Sequence, residues 1–168
     1  MKSGFRPTVT RVLEPGGFSY KQKAWLRNKN DLIQVFSLDR SPYSEQLYAE
    51  CGVFVTACLG SNLPIWNQAH LRRRTKIEKG SRLDLLLETP SAYSDEDAFE
   101  IITNDLLPKI ETFFADLDTV EKVEALTWKG NPNPTASVTR TIMEWFGVPI
   151  PEGPKEHIIT LNGVRMPN

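Results

Sequence analysis

Several polar side chains on or beside neighbouring predicted strands could bind an acidic group together. Arg27 and Gln34 lie on two such strands, Arg40 follows the second strand, and His70 and Arg73 lie beyond a later one. Arginine binds carboxylates and phosphates through paired hydrogen bonds. If this face of the sheet is concave, these side chains could converge on an acidic ligand or partner. The alternative is a solvated sheet face on which the charges pair across strands.

A second candidate is the loop that carries Trp66 and leads to the arginine triplet Arg72–Arg74. Tryptophan and arginine are over-represented among the residues that dominate the binding energy of protein interfaces. This composition favours another protein as the partner, docked on the loop or on the sheet edge. The structural alternatives are a solvated turn for the triplet and a core anchor for the tryptophan.

The chain lacks the motifs of common catalytic and cofactor sites. It contains no G-x-S-x-G, phosphate-loop, G-x-G-x-x-G or H-E-x-x-H sequence. Its histidines, His70 and His157, have no cysteine or carboxylate partners at metal-ligand spacing. Cys51 and Cys58 are an odd number of positions apart on one predicted strand, so they face opposite sides and do not suit a disulfide. We therefore expect reduced thiols, no cofactor and no metal.

The composition is typical of one globular domain with balanced charge. Among 168 residues, 40% are hydrophobic and 24% are charged, a mixture that can build a core. Twenty basic and 21 acidic residues give a net charge of −1, which argues against nucleic-acid binding. The chain shows no secretory signal and no apolar run near the ~20 residues that span a bilayer. We expect a cytoplasmic protein without membrane contact, and its oligomeric state stays open.

Four segments have the composition of consecutive antiparallel strands. They are Phe18–Arg27, Leu32–Leu38, Leu47–Leu59 and about Arg82–Glu88. The turn Asn28–Asp31 suits a tight reversal because Asn and Asp tolerate a left-handed backbone. The second segment is mostly apolar on both faces and suits an interior strand. In the third, the odd-numbered residues form the core face, and Gly52 indicates a bulge or a close backbone approach.

Helical spacing of apolar residues indicates the remaining elements. The predicted helices are Phe5–Leu13, a long helix capped by Ser94 and broken near Pro108, a short helix from Asp118 to about Trp128, and a helix capped by Asn133. Residues 148–168 form a proline-punctuated tail that either adds a strand or wraps the surface. Strands followed by helices predict a single α+β domain over residues 1–168, with a mainly antiparallel sheet of about four to five strands and helices on one face.

Short motifs in the first two thirds of the chain resemble a known family. They are Gly17-Phe18, Trp25-Leu26-Arg27, Asn30–Val35, Ser41–Ser44, Gly52-Val53 and Ala69–Arg74. Together they resemble the bacterial domain of unknown function 4304 family over about Phe5–Phe114. The chain departs from the family at Ser37 and Asp39 and at the pair Leu85-Leu86. The resemblance implies a compact α+β domain of cytoplasmic bacterial type, and some such domains look like accessory or immunity proteins.

These observations favour a non-enzymatic domain that acts by binding another protein. The alternative is an enzyme or a receptor for a small anionic ligand, with a polar pocket on the sheet face. The candidate site residues for either function are Arg27, Gln34, Arg40, Trp66, His70 and Arg73.

Overall fold

A single antiparallel sheet runs through the described part of the chain, and each strand pairs with the next in sequence. The computed structural model describes residues 5–59, 69–127, 136–147 and 158–160. Its strands are β1 (Ser19–Lys21), β2 (Ala24–Lys29), β3 (Leu32–Arg40), β4 (Leu47–Val55), β5 (Leu71–Arg74), β6 (Ala136–Thr139) and β7 (Ile158–Thr160). The predicted strands Phe18–Arg27, Leu32–Leu38 and Leu47–Leu59 contain β1–β4, and β5, β6 and β7 extend the sheet beyond them.

Helices pack on one face of this sheet. They are α1 (Phe5–Leu13), α2 (Arg82–Glu88), α3 (Asp95–Ile101), α4 (Leu107–Ala115), α5 (Val120–Thr127) and α6 (Arg140–Trp145). Their buried side chains join Trp25, Phe36, Cys51 and Leu71 of the strands in one apolar cluster. We call this side of the sheet the helix-covered face. The α+β class with helices on one face is confirmed.

Several elements lie where the sequence predicts them. Helix α1 has the predicted bounds and ends before Gly17, which adopts a left-handed φ of 85°. Strand β3 lies between β2 and β4, as its apolar character predicts. Gly52 marks a close approach, because a Cβ atom there would lie 2.8 Å from the Cβ of Ala69 and 3.0 Å from the carbonyl oxygen of Leu71.

The predicted first strand is wrong in one respect, since it is a hairpin of β1 and β2. The reversal occurs at Gln22 and Lys23, whose φ angles are 50° and 68°. Neither residue is a usual turn former at positive φ, so the pattern gave no signal. The following turn is predicted correctly and consists of Asn30 and Asp31, with φ of 53° at Asn30.

The predicted strand over Arg82–Glu88 is wrong, because this segment is helix α2. The hydroxyl of Ser81 accepts a hydrogen bond from the Asp84 amide at 3.2 Å and caps the helix. Leu83, Leu86 and Leu87 are buried while Leu85 is 44% exposed, which is a helical and not an alternating pattern. The strand that follows β4 is instead β5. The sequence predicts a loop there, because the segment contains three consecutive arginines and no apolar alternation.

An interruption is present near Pro108, but it lies before Leu107 and not after it as predicted. Residues Ile102–Leu106 form a π-helical segment between α3 and α4, and Pro108 lies in the first turn of α4. The predicted Ser94 cap is present, since its hydroxyl accepts from the Asp97 amide at 3.1 Å. Helix α5 is capped by Thr119 and not by Asp118, because Thr119 Oγ1 accepts from the Lys122 amide at 3.3 Å.

The C-terminal third differs from its predicted form. Residues Ala136–Thr139 form strand β6, where a helix is predicted, and α6 follows directly. Asn133, the predicted cap, lies outside the described residues, as does Trp128. Within the tail, β7 pairs with β6, so this part adds a strand. The single-domain assignment over residues 1–168 stays a prediction.

Candidate functional site

Arg27 is held in a network on the helix-covered face. Its Nε donates to Gln34 Oε1 at 2.7 Å, and its two Nη atoms donate to the Glu111 carboxylate at 2.8 and 2.9 Å. A further bond of 3.0 Å reaches the carbonyl of Gly16. The guanidinium lies 4.3 Å from the centroid of the Phe18 ring. Four of the five N–H donors of Arg27 are therefore engaged. They link β2 to β3, to α4 and to the turn after α1, and leave one donor for a ligand.

Gln34 completes this network but is only half satisfied. Its side chain is fully buried, and Oε1 accepts from Arg27. Its Nε2 has no hydrogen-bond partner in the structure as described. A buried donor without a partner costs about 1–3 kcal/mol. The structure thus brings Arg27 and Gln34 into contact, within a partly buried network that links strands to a helix.

The opposite face of the sheet carries a row of paired charges. Glu50 lies between Arg72 and Arg74 on the adjacent strand, with N–O distances of 3.6 and 3.4 Å. The Arg74 guanidinium also lies 4.1 Å from the centroid of the Tyr48 ring. Burial, and next the negative charge of Glu50, raise the pKa of Asp39. This part of the sheet matches the alternative of cross-strand ion pairs.

His70 is buried on that same side and is already engaged. Its Nδ1 accepts a hydrogen bond from the Val55 amide at 3.0 Å, and its ring meets Phe54 edge to face with centroids 5.2 Å apart. Burial lowers the pKa of His70 to about 4. The imidazole is therefore neutral near pH 7, and the lone pair of Nδ1 is occupied, so that nitrogen cannot serve as a base or a metal ligand.

Arg40 lines a large open cleft where β3 ends and β4 begins. The cleft has a volume of about 940 Å³ and lies between the β3–β4 loop, the start of α1 and the α2–α3 connection. Its lining residues are Phe5, Arg40, Ser41, Pro42, Tyr43, Ser44, Glu45, Leu47, Pro90, Ser91, Tyr93, Asp95 and Ala98. Tyr43 is 95% exposed at the loop tip. Phe5, Leu47 and Ala98 are buried and form an apolar floor.

The six predicted site residues thus occupy separate places. Arg27 and Gln34 touch each other, Arg40 lines the cleft, and His70 is buried on the opposite face of the sheet. Arg73 lies on the helix-covered face, 4.9 Å from the centroid of the Phe113 ring. Trp66 lies outside the described residues. The polar sheet-face pocket of the alternative function is therefore not formed by Arg27, Gln34 and His70.

The sequence reasoning missed three residues that shape these places. Glu111 is the ion-pair partner of Arg27 although 84 positions separate them. No local pattern reports such a contact. Tyr43 and Tyr93 line the cleft. The run Ser41-Pro42-Tyr43-Ser44 carried a signal, because serine and proline favour turns and such connections lie on the protein surface.

Among the residues that the structure covers, neither an activated cysteine nor a set of metal ligands is found. Burial raises the pKa of the Cys51 thiol to about 12 and that of Cys58 to about 11, whereas a reactive thiol needs a lowered pKa. Both cysteines are free, but Cys58 lies in a 3-10 turn after β4 and not, as the sequence predicts, on the same strand as Cys51. No group of three or more His, Cys, Asp or Glu side chains among the described residues could hold a metal ion. Nor does any described helix have both the length and the apolarity to cross a bilayer.

The fold and these surfaces define an α+β domain built on an antiparallel sheet with one helical layer. The chain belongs to the family described as a domain of unknown function (DUF4304), whose model matches residues 9–115. That range runs from α1 to the end of α4 and includes the whole Arg27 network. No curated protein and no solved structure matches the chain.

Proposed function

We propose that this domain binds another protein and that its cleft receives an extended segment of the partner, carrying at least one basic side chain. The exposure of Tyr43 is the observation that carries this proposal. An aromatic residue that is 95% solvated contributes nothing to the core. Buried in an interface, tyrosine commonly becomes a dominant contributor to binding energy.

The charges of the cleft favour a basic segment. Glu45 and Asp95 line it together with the single cation Arg40. Two further carboxylates, Glu96 and Asp97, follow Asp95 in the first turn of α3. A partner that brings a cation therefore complements the surplus of negative charge.

The aromatic side chains of the cleft suit the same partner. Elsewhere in the domain, arginines already stack on tyrosines, with Arg6 5.0 Å from the ring centroid of Tyr20 and Arg74 4.1 Å from that of Tyr48. In the described chain, no such cation lies over Tyr43 or Tyr93. A basic side chain of the partner would supply the cation–π contact that these two rings lack.

A library of short random peptides tests this proposal. Peptides selected on the immobilised domain should carry arginine or lysine at a fixed position. Tyr43→Ala should weaken the affinity of a selected peptide by about tenfold or more, and Glu45→Gln should weaken it by a smaller factor. Binding is measured by fluorescence anisotropy, with thermal unfolding as the check that each variant folds.

The matched control is Leu85→Ala, which truncates an exposed apolar residue on α2 that does not line the cleft. This variant should bind as the wild type does. Selected peptides without a basic residue, or peptides that bind Tyr43→Ala with undiminished affinity, would overturn the proposal.

We further propose that the domain works in the cytoplasm as an accessory or immunity-like protein. Two cysteines that are both free of a disulfide support a reducing compartment. Fractionation of the source cells tests the location, and recovery of the protein outside the cytoplasm would contradict it.

A further inference from the structure

Two neighbouring concavities both have Arg73 and Phe113 among their lining residues. The first has a volume of about 340 Å³ and is lined by Arg73, Thr75, Lys76, Pro108, Lys109, Thr112 and Phe113. The second has a volume of about 420 Å³ and is lined by Leu71, Arg73, Phe113, Asp116, Leu117, Lys122, Ala125 and Leu126. Neither shares a lining residue with the cleft of Arg40 and Tyr43.

The first concavity is basic. Three cations line it, and no carboxylate does. Most other cations of this region have anionic partners: Arg72 and Arg74 pair with Glu50, and Lys122 pairs with Asp118. By contrast, Arg73, Lys76 and Lys109 form no ion pair in the described portion of the protein. A chain with a net charge of −1 thus keeps three unneutralised cations around one hollow.

Arg73 is the strongest of the three for holding an anion. It is half-buried, and its guanidinium is fixed over the Phe113 ring at 4.9 Å from the centroid. Much of the hydration of this cation is already lost, so an incoming anion removes less water than at a fully exposed arginine. Charge-assisted hydrogen bonds from a fixed guanidinium are also stronger than those between neutral groups.

The second concavity adds apolar surface beside this cation. Ala125 is exposed and Leu126 is half-buried, with Phe113 and Leu117 beneath them. Besides Arg73, two charged side chains line this concavity. Lys122 has its ammonium held by Asp118 at 2.7 Å and by the Ala115 carbonyl at 3.0 Å, and Asp116 is an exposed carboxylate. An apolar group that extends from Arg73 towards α5 would therefore meet mainly carbon.

We infer that these concavities bind a small molecule with an oxyanion head and an apolar body. The head, a phosphate or a carboxylate, lies among Arg73, Lys76 and Lys109, while the body lies against Phe113 and Ala125. The two volumes are in the range of small-molecule sites, ~300–1,000 Å³. Since the site is separate from the cleft, it stands or falls independently of protein binding.

The test uses four probes of graded chemistry. Phenyl phosphate and benzoate carry both head and body, inorganic phosphate lacks the body, and benzyl alcohol lacks the charge. We expect binding by phenyl phosphate or benzoate, weaker binding by inorganic phosphate and none by benzyl alcohol, measured by calorimetry at low salt. The stronger of the two aromatic anions identifies the preferred head group. Equal binding of all four probes, or no binding of either aromatic anion, would overturn the inference.

Variants locate the site. Lys76→Met and Lys109→Met each remove one exposed cation and should lower the affinity for the aromatic anion by about two- to fivefold. Arg73→Gln should lower this affinity by roughly tenfold or more. The matched control is Lys23→Met, an exposed lysine in the β1–β2 turn, which should bind as the wild type does.

Two results of these variants would contradict the site. The first is undiminished affinity in the double variant Lys76→Met with Lys109→Met, whose substitutions lie on the surface and leave the core intact. The second is an equal loss of affinity in Lys23→Met, which would show that general charge attraction and not this concavity holds the anion.

Discussion

The two faces of the sheet accommodate charge in different ways. On the helix-covered face, Arg27 lies against two rings of the apolar cluster and is bonded to Gln34, Glu111 and the backbone of Gly16. On the opposite face, Glu50 pairs with arginines of the adjacent strand at distances of 3.4 and 3.6 Å. A charge under the helices needs several fixed partners because burial removes its water. The Glu50 side chain is as little exposed as that of Arg27, 12% against 13%, but its ionic partners all come from one neighbouring strand.

Arg73 departs from this division. It lies on the helix-covered face, as its pairing with Cys51 requires, yet it lies over a ring and forms no ion pair within the described residues. Arg72 and Arg74, its neighbours in sequence, point to the other face and pair with Glu50. The comparison separates arginines that hold the fold together from one that is available to a ligand.

The largest effect should come from replacing Arg27. Arg27→Met leaves the Gln34 carbonyl and the Glu111 carboxylate without their donor, and we expect a loss of about 2–4 kcal/mol in the free energy of unfolding. Urea denaturation measures this loss. Arg73→Met is the matched variant and should cost less than about 1 kcal/mol, because no bonded partner is left behind. Equal losses in the two variants would remove the distinction between the two arginines.

Gly52→Ala should show how closely the opposite face is packed. The new methyl group would lie 2.8 Å from the Cβ of Ala69 and 3.0 Å from the Leu71 carbonyl, so we expect a loss of about 1–3 kcal/mol in stability. Ala69→Gly in the same chain should restore part of this loss, since it removes one of the two clashes. Thermal unfolding of the single and double variants measures both effects, and an unaffected Gly52→Ala would show that β5 can move away.

His70 should make stability depend on pH. Its pKa is lowered to about 4 from an ordinary value of 6.5, so the unfolded chain takes up a proton at a higher pH than the folded chain. Stability due to His70 is therefore complete above about pH 6.5 and falls as the pH drops towards 4, by on the order of 2 kcal/mol.

His70→Asn is the control for this pH dependence. The asparagine oxygen can replace Nδ1 as the acceptor for the Val55 amide but does not titrate. The difference in unfolding free energy between the wild type and His70→Asn should change between about pH 6.5 and pH 4. A constant difference would show that His70 takes up its proton equally well in the folded chain.

The smallest effect should come from Glu50→Gln. We expect a loss of about 0.5–1 kcal/mol in stability, as for other partly exposed ion pairs. The same change removes a negative charge that raises the pKa of Asp39, so this pKa should fall. Carboxyl titration by nuclear magnetic resonance measures it, with Glu88→Gln at the exposed end of α2 as the control. An unchanged pKa of Asp39 would mean that burial alone raises it.

Elements with one clear periodicity could be predicted from the sequence. Helix α1 and strands β3 and β4 each have a regular apolar pattern and definite end signals. Helix α2 could be read in two ways, because Leu83, Leu85 and Leu87 alternate while Leu83, Leu86 and Leu87 follow helical spacing. Its cap residue Ser81 decides in favour of the helix. Strand β5 has no apolar pattern that could have predicted it. Its pairing with β4 and β6 stabilises it, and not its own composition.

The arrangement of the candidate sites could not be predicted in the same way. The contact between Arg27 and Gln34 follows from strand pairing, which the sequence indicates. The contact between Arg27 and Glu111 depends on how α4 lies across the sheet, and no local pattern encodes it. Likewise, only the pairing of β4 with β5 decides that Arg73 faces the helices while Arg72 and Arg74 face away.

The tight turn between β1 and β2 is a place where substitutions can make this domain more stable. Its two central residues, Gln22 and Lys23, hold φ angles that a side chain adopts at a cost of about 1–2 kcal/mol each. Asparagine followed by glycine adopts the same backbone with less strain. Exchanging the pair for asparagine and glycine should therefore raise the melting temperature. In this more stable variant, destabilising substitutions elsewhere in the domain can be studied while the protein stays folded.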